Sequence, residues 1–264
     1  MNRGLVVSYL EKRKGGRRLG QHFLIDEEVV GKLVNHVARL KPELVVEVGA
    51  GFGFITERLS KVAGRVLAVE KDREIFEMAS KRLDHLSNVD IICEDVLHVT
   101  IPVESVVTGA PPYSISTSLI KKILDSKVGD SVLILQREFA QRIAAREGES
   151  EYSYLSALIG VFGSVELLEA IGRESFYPPP MVDSRIVGIR LYRNLDVPSE
   201  EIEGLTRFIA ELFKRHRRRK VKNALAALGR GEAQAWVRGV LEKRVFELKP
   251  SELLQFYEGL AKSS

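Results

Sequence analysis

At 264 residues, 45% of them hydrophobic, the chain is long enough for one large domain or for a large and a small one. It holds no stretch of about 18 apolar residues, which excludes a membrane-spanning helix, and the basic start MNRGLVVSYLEKRKGGRRLG has too short an apolar run for a signal peptide. The formal charge is only +4, and one cysteine, Cys93, excludes a disulfide framework, so a reducing cytoplasm is expected.

In chain order, the apolar spacing predicts a helix over 27–39 and then a strand over 44–48. Leu44, Val45, Val46 and Val48 form a run of the kind buried in parallel sheets. The strand opens into Glu47-x-Gly49-x-Gly51-x-Gly53, a turn whose tightness suits glycine. A helix over 54–60 follows and would point its first N–H groups at a ligand. The next strand, 65–70, ends on Glu70, about 20 residues past the first glycine, where an acid suits a ribose diol. The spacing G-x-G-x-G departs from the dinucleotide pattern G-x-G-x-x-G, and Glu47 precedes it. S-adenosylmethionine is therefore favoured over a nicotinamide cofactor, with a dehydrogenase as the weaker reading.

A helix over 72–84 leads to a strand over 89–94, in which Cys93 reads as a small buried residue. Glu94 and Asp95 follow, and Asp95 could accept from an adenine amino group. The strand over 105–109 ends in Gly109-Ala110-Pro111-Pro112-Tyr113. A turn stiffened by proline aims backbone carbonyls in fixed directions, and Tyr113 offers a face on which a base can stack. A base inside a duplex would have to be flipped out or presented unpaired. Helices over 115–125, 137–146 and 153–162 and strands over 131–136, 165–171 and 185–192 complete the pattern. The last two strands should be antiparallel, joined by a stiff proline-rich loop on which Phe176 could close a sandwich with Tyr113. Strands alternating with helices predict an α/β fold with a parallel sheet covered on both faces.

Beyond Arg193, Asn194–Pro198 reads as a linker, and 199–264 has helical spacing with breaks at 229–231 and 249–251. Trp236 reads as core of that helical part, and Tyr152 and Tyr154 as a packed helix start. The basic clusters Lys12–Arg18 and Lys214–Lys222 together suggest a polyanion footprint, most simply nucleic acid. His36, His85, His98 and His216 lack metal-ligand spacing, so no metal is expected. Abundant charge with few Asn, Gln, Cys and Met is a composition frequent in thermophile proteins.

These motifs together resemble the KsgA-type ribosomal RNA adenine dimethyltransferases, relatives of the Erm methyltransferases, over nearly the whole length. Gly20-Gln21-His22-Phe23-Leu24 is similar to the family's opening motif. Glu47, Gly49, Gly51, Glu70 and Asp95 match its cofactor positions. Gln136-x-Glu138-Phe-Ala-x-Arg142, Phe176-x-Pro-x-Pro-x-Val182-Asp-Ser184 and Arg217-Arg218-Arg219-Lys220 with Asn223-Ala-Leu match three further segments. The resemblance implies a Rossmann-like, seven-stranded class I methyltransferase domain over 1–193 and a helical RNA-binding domain over 199–264. It implies S-adenosylmethionine held by Gln21, His22, Leu24, Glu47, Gly49, Gly51, Glu70, Asp95 and Ala110, and catalysis around Ala110, Pro111, Tyr113 and Phe176. Arg217, Arg218, Arg219 and Lys220 would contact ribosomal RNA of the small subunit, and the chain is expected to act as a monomer. The implied reaction is dimethylation of N6 on adjacent adenines.

One position departs. The family pattern Asn-Leu-Pro-Tyr-x-Ile-Ser reads Ala110-Pro-Pro-Tyr-Ser-Ile-Ser116 here, so the asparagine acceptor for an N6 hydrogen is absent. Thr108, two residues earlier, is the nearest candidate on the same strand face. An assembly factor of the same fold, with weak or no methyl transfer, is the alternative that Ala110 raises.

Overall fold

The computed structural model describes residues 3–12, 21–192, 199–229 and 239–261. Gly20, the 13–18 part of the first basic cluster, the Asn194–Pro198 linker and Trp236 lie outside these residues. Packing divides the chain into two compact units: Met1–Ala140 with Glu166–Leu191, and Gln141–Val165 with Tyr192–Ser264. Residues 141–165 thus pack with the C-terminal helices, although sequence order places them among the sheet elements.

In the first unit the elements are α1 (Arg3–Lys12), β1 (Phe23–Leu24), α2 (Glu27–Arg39), β2 (Leu44–Val48), α3 (Phe54–Leu59), β3 (Arg65–Glu70), α4 (Arg73–Leu83), β4 (Val89–Cys93), β5 (Val106–Gly109), α5 (Ser116–Asp125) and β6 (Asp130–Gln136). After α6 (Arg137–Ala144) and α7 (Tyr154–Phe162) come β7 (Gly163–Ile171), β8 (Phe176–Tyr177) and β9 (Ser184–Leu191). Seven strands form one sheet in the order β4-β3-β2-β5-β6-β9-β7. From β4 to β6 all neighbours are parallel, and β9 runs antiparallel to β6. This is the seven-stranded α/β sheet that the resemblance implied, parallel from β4 to β6 as the alternation of strands and helices predicts.

Position in the sheet explains the sequence patterns. Central β2 is flanked on both sides and sealed on both faces, so Val45, Val46 and Val48 are all buried and the run is unbroken. Edge strand β4 carries no such run, and Cys93 at its end is exposed. The expectation of a buried thiol is therefore wrong: an apolar neighbourhood in sequence did not reveal that this strand sits at the margin. Helix α2 starts where Asp26 accepts from the N–H groups of Glu28 and Val29, and it buries Val29, Val30, Leu33, Val34 and Val37 on the sheet.

Two features escape the sequence patterns. Helix α1 has a weak apolar stripe, yet Val6 is fully buried in a cluster with Phe52, Phe54 and Ile75. Strands β1 and β8 pair over two residues, Phe23 with Tyr177 and Leu24 with Phe176, too few for any alternation to show.

The second unit is built from α7, α8 (Ser199–His216), α9 (Val221–Ala227) and α10 (Pro250–Ala261). Tyr152 anchors it. Its ring meets Phe213 edge-on at 5.6 Å and its hydroxyl donates to the Leu248 carbonyl at 3.1 Å. Ser153 then caps α7, so Tyr152 and Tyr154 do mark a packed helix start.

Candidate active site

A cleft of about 270 Å³ opens at the carboxyl ends of β2, β3, β4 and β5, where ligands of open α/β sheets bind. Its floor is the β2–α3 turn, in which Gly49, Gly51 and Gly53 have φ of 72°, 55° and 80°. A side chain at any of the three would be strained, and at Gly53 its Cβ would also meet Leu83 at 3.0 Å. The amides of Gly49 and Ala50 donate to the Val69 carbonyl at 2.9 and 3.1 Å, which ties the turn to β3.

Glu70, at the end of β3, fixes the turn as well. Its Oε2 accepts from the Gly51 amide at 2.9 Å and its Oε1 from the Asp72 amide at 2.8 Å. Burial pushes its pKa up, while these N–H groups pull it back. Each oxygen keeps a lone pair for a further donor, which is what two adjacent hydroxyls require. Asp95 accepts from Lys71 at 2.7 Å and from the Leu97 amide at 3.0 Å, and the Lys71 hydrogen bond holds its pKa below the ordinary carboxylate range. The cleft wall therefore carries three carboxylates, Glu70, Glu94 and Asp95, against one ammonium, Lys71. An excess of acid suits a ligand bearing a sulfonium and an ammonium and repels a pyrophosphate. This set of acceptors fits S-adenosylmethionine better than a nicotinamide dinucleotide.

The other wall holds the acceptor-side residues. Gln21, His22, Leu24, Ala110, Pro111, Tyr113 and Phe176 all line the same cleft. His22 donates from Nδ1 to the Pro178 carbonyl at 2.8 Å, and its ring lies 6.0 Å from that of Tyr113 at an interplanar angle of 29°. The Tyr113 hydroxyl is held by Ser184 Oγ at 2.6 Å. The ring neighbouring Tyr113 is thus His22, while Phe176 sits almost wholly buried in the sheet core at the cleft edge. Ser114 and Lys71 also line the cleft and were not singled out from sequence. Their adjacency to Tyr113 and Glu70 was the only signal available.

Three expected site residues stand apart. Glu47 is fully buried on β2 and is not part of the cleft wall. Neither of its oxygens completes a hydrogen bond among the described residues. Burial raises its pKa to about 8, the neighbouring Glu70 charge adds to this, and the nearby Thr56 hydroxyl opposes it. Folded Glu47 therefore keeps its proton up to about pH 8, whereas the unfolded chain loses it near 4.5. Its contribution to stability is complete below the unfolded value and is lost as pH rises through the folded one. Glu47→Gln should remove roughly 3–4 kcal/mol of decline between about pH 5 and 8 in urea unfolding. Parallel curves for both proteins would show that Glu47 is ionised in the fold.

Arg217 and Lys220, in the second unit, are already engaged. Arg217 donates from Nε to the Tyr152 carbonyl at 2.7 Å, bonds the Ser150 carbonyl and lies over the Phe246 ring. Lys220 pairs with Glu242 at 2.6 Å. Arg218 and Arg219 are exposed.

Around Ala110 the backbone is crowded. Gly109 has φ 133°, and a Cβ there would fall 2.4 Å from the Val48 carbonyl oxygen, so β5 and β2 meet too closely for any side chain. Ala110 then turns onto the cleft. Thr108 does not stand in for an asparagine: it is fully buried and its hydroxyl donates to the Val132 carbonyl at 2.7 Å.

A family model described as ribosomal RNA adenine dimethylase matches residues 12–262. The chain is 37% identical over 246 residues to the Thermococcus onnurineus "Probable ribosomal RNA small subunit methyltransferase A", covering 89% of this chain and 88% of that one. It is 33% identical to the Thermotoga petrophila "Ribosomal RNA small subunit methyltransferase A", covering 95% and 94%. Among solved structures it is similar to a dimethyladenosine transferase from Plasmodium falciparum, with a TM-score of 0.79, 25% identity and coverage of 91% and 98%. The 23S rRNA methyltransferase ErmE shares the fold, with a TM-score of 0.69 at 24% identity over 90% and 99%.

Proposed function

We propose, for a chain that belongs to the ribosomal RNA adenine dimethylase family, that its cleft directs two methyl transfers from S-adenosylmethionine to N6 of adjacent adenines in small-subunit ribosomal RNA. The observation that carries this reading is the joining, in one cleft, of a glycine floor, an acidic wall and the Pro111-Pro112-Tyr113 turn. When bound, the cofactor supplies an electrophilic methyl group on a sulfonium. Glu70 accepts from the ribose hydroxyls, Asp95 from the adenine amino group, and Gly49, Gly51, Gln21, His22 and Leu24 close around the remainder.

The acceptor adenine lies against Tyr113, with Phe176 at the edge and His22 fixing the Tyr113 ring. N6 of adenine is a poor nucleophile because its lone pair is delocalised into the purine. A carbonyl aimed at an N6 hydrogen, here that of Pro111, localises electron density on nitrogen and stabilises the positive charge that develops there. No metal enters this scheme. Catalysis belongs to the sheet unit within 1–193 and RNA binding to the helical unit, 199–264 together with residues 141–165, and the chain works as a monomer on the small subunit. No described helix is long and apolar enough to cross a membrane.

The assembly-factor alternative is not favoured, because the relatives bear methyltransferase names across nearly their whole lengths. The deciding experiment incubates the protein with S-adenosylmethionine and unmethylated small subunits and reads N6,N6-dimethyladenosine by mass spectrometry. Two adjacent dimethylated adenines are expected. Saturable cofactor binding without any methylated base would reinstate the alternative.

A further inference from the structure

The loop between β8 and β9 carries an apolar tip. From Ser175 to Val182 the chain bears no charge, in a protein of which 29% is charged. Phe176 and Pro180 are buried, whereas Pro178, Pro179 and Met181 are exposed. Met181 is 93% exposed, against 42–57% for the other large apolar side chains that the described surface shows to solvent. Single apolar residues on a surface are ordinary. What sets Met181 apart is the stiffness and the place of the loop that holds it.

Stiffness comes from the consecutive prolines Pro178, Pro179 and Pro180, each with φ fixed by its ring and each restricting the residue before it. Both flanks of the tip are also tied down. On one side the Pro178 carbonyl accepts from His22 Nδ1 at 2.8 Å, and β8 pairs with β1. On the other, Ser184 Oγ meets the Tyr113 hydroxyl at 2.6 Å, and Asp183 accepts from the Arg137 amide at 3.0 Å and from Arg137 Nη1 at 3.1 Å. His22, Tyr113 and Phe176 line the acceptor side of the cleft. The tip therefore stands at the rim over which the acceptor strand passes.

Its chemistry narrows what it meets. The three prolines have no N–H to donate, and a thioether accepts only weakly. Such a tip offers nothing to a phosphate and little to a base edge. A base face is different, because it is apolar and polarisable, and methionine sulfur packs well against aromatic rings. A target adenine leaves its stack to enter the cleft, and its former neighbours lose a stacking partner. Apolar side chains inserted between base steps fill such gaps in other nucleic-acid complexes.

We propose that Met181 is a wedge that packs against the base next to the flipped adenine and holds the RNA stack open. A stiff backbone suits a wedge, because the loop has little freedom left to lose on binding. The inference rests on the ribosomal RNA reading above and adds to it the residue that keeps the target out of its stack.

The test uses small subunits reconstituted with ribosomal RNA in which 2-aminopurine, a base whose fluorescence rises on unstacking, neighbours the target adenines. Met181→Gln keeps the length of the side chain and removes its apolar character, while Met181→Leu keeps that character. Thermal unfolding and S-adenosylmethionine calorimetry should agree for all three proteins, because the side chain is exposed and outside the cleft wall. The wild-type chain should raise the fluorescence on binding. Met181→Gln should blunt that rise and lower kcat/KM for methyl transfer about 10-fold, as unstacking then goes unaided. Met181→Leu should restore most of both. Unchanged kcat/KM in Met181→Gln overturns the wedge. So does a lowered kcat/KM with the full fluorescence rise, which would place Met181 against a subunit protein instead. If the wild-type chain methylates no subunits, the enzymatic reading fails and takes the wedge with it. If it methylates them and Met181→Gln does equally well, only the wedge fails.

Discussion

Ala110→Asn should raise the rate of methyl transfer by about 10- to 1000-fold, with cofactor affinity nearly unchanged. The expectation comes from what is missing on the acceptor side of the cleft. A target N6 carries two hydrogens, and the Pro111 carbonyl can take only one. Thr108 cannot supply the second acceptor, because its hydroxyl is buried and committed to Val132. Ala110 lines the cleft, so an asparagine there would present its carbonyl oxygen to the acceptor base. Base binding should change little, since stacking on an aromatic face supplies much of that energy. Turnover should respond more, because the new hydrogen bond strengthens as N6 gains positive charge in the transition state. Single-turnover kinetics on unmethylated small subunits separates the two effects. A native rate that Ala110→Asn fails to improve would mean that another group already serves as acceptor. Ser114 is then the residue to truncate, since it lines the cleft next to Tyr113.

Much of this site is legible in the sequence, for identifiable reasons. The glycine turn shows because positive φ at alternate residues admits almost nothing else, and Glu70 because the strand before it is an uninterrupted apolar run. The strand boundaries of β2 and β3 come out unshifted for the same reason. What the sequence hid was spatial. Nothing in the spacing separates Arg217, turned inward to two carbonyls, from Arg218 beside it. Nor does it show that Glu242 sits on Lys220, or that Glu47 faces the interior when Glu70 faces the cleft. The exposure of Cys93 and the placing of 141–165 with the helical unit depend on which elements lie at an edge. Local periodicity carries no record of that.

Removing the Glu70 carboxylate should cost cofactor binding roughly 1–3 kcal/mol, the usual worth of hydrogen bonds to a charged group, which is about 5- to 150-fold in affinity. Two routes lead to that loss, and they can be told apart. One is direct: in Glu70→Ala the ribose hydroxyls lose their acceptor. The other runs through the turn, because Glu70 also holds the Gly51 and Asp72 amides at 2.9 and 2.8 Å. Glu70→Gln probes this second route, since its amide places an NH₂ group against one of those two N–H donors. Both variants should weaken S-adenosylmethionine in calorimetry. An analogue without the ribose hydroxyls should already bind the wild-type chain poorly. If the direct route dominates, Glu70→Ala weakens that analogue far less than the parent, so the two losses are not additive. Equal losses for parent and analogue would assign Glu70 to the turn alone. Undiminished affinity for the parent would take it out of the site altogether.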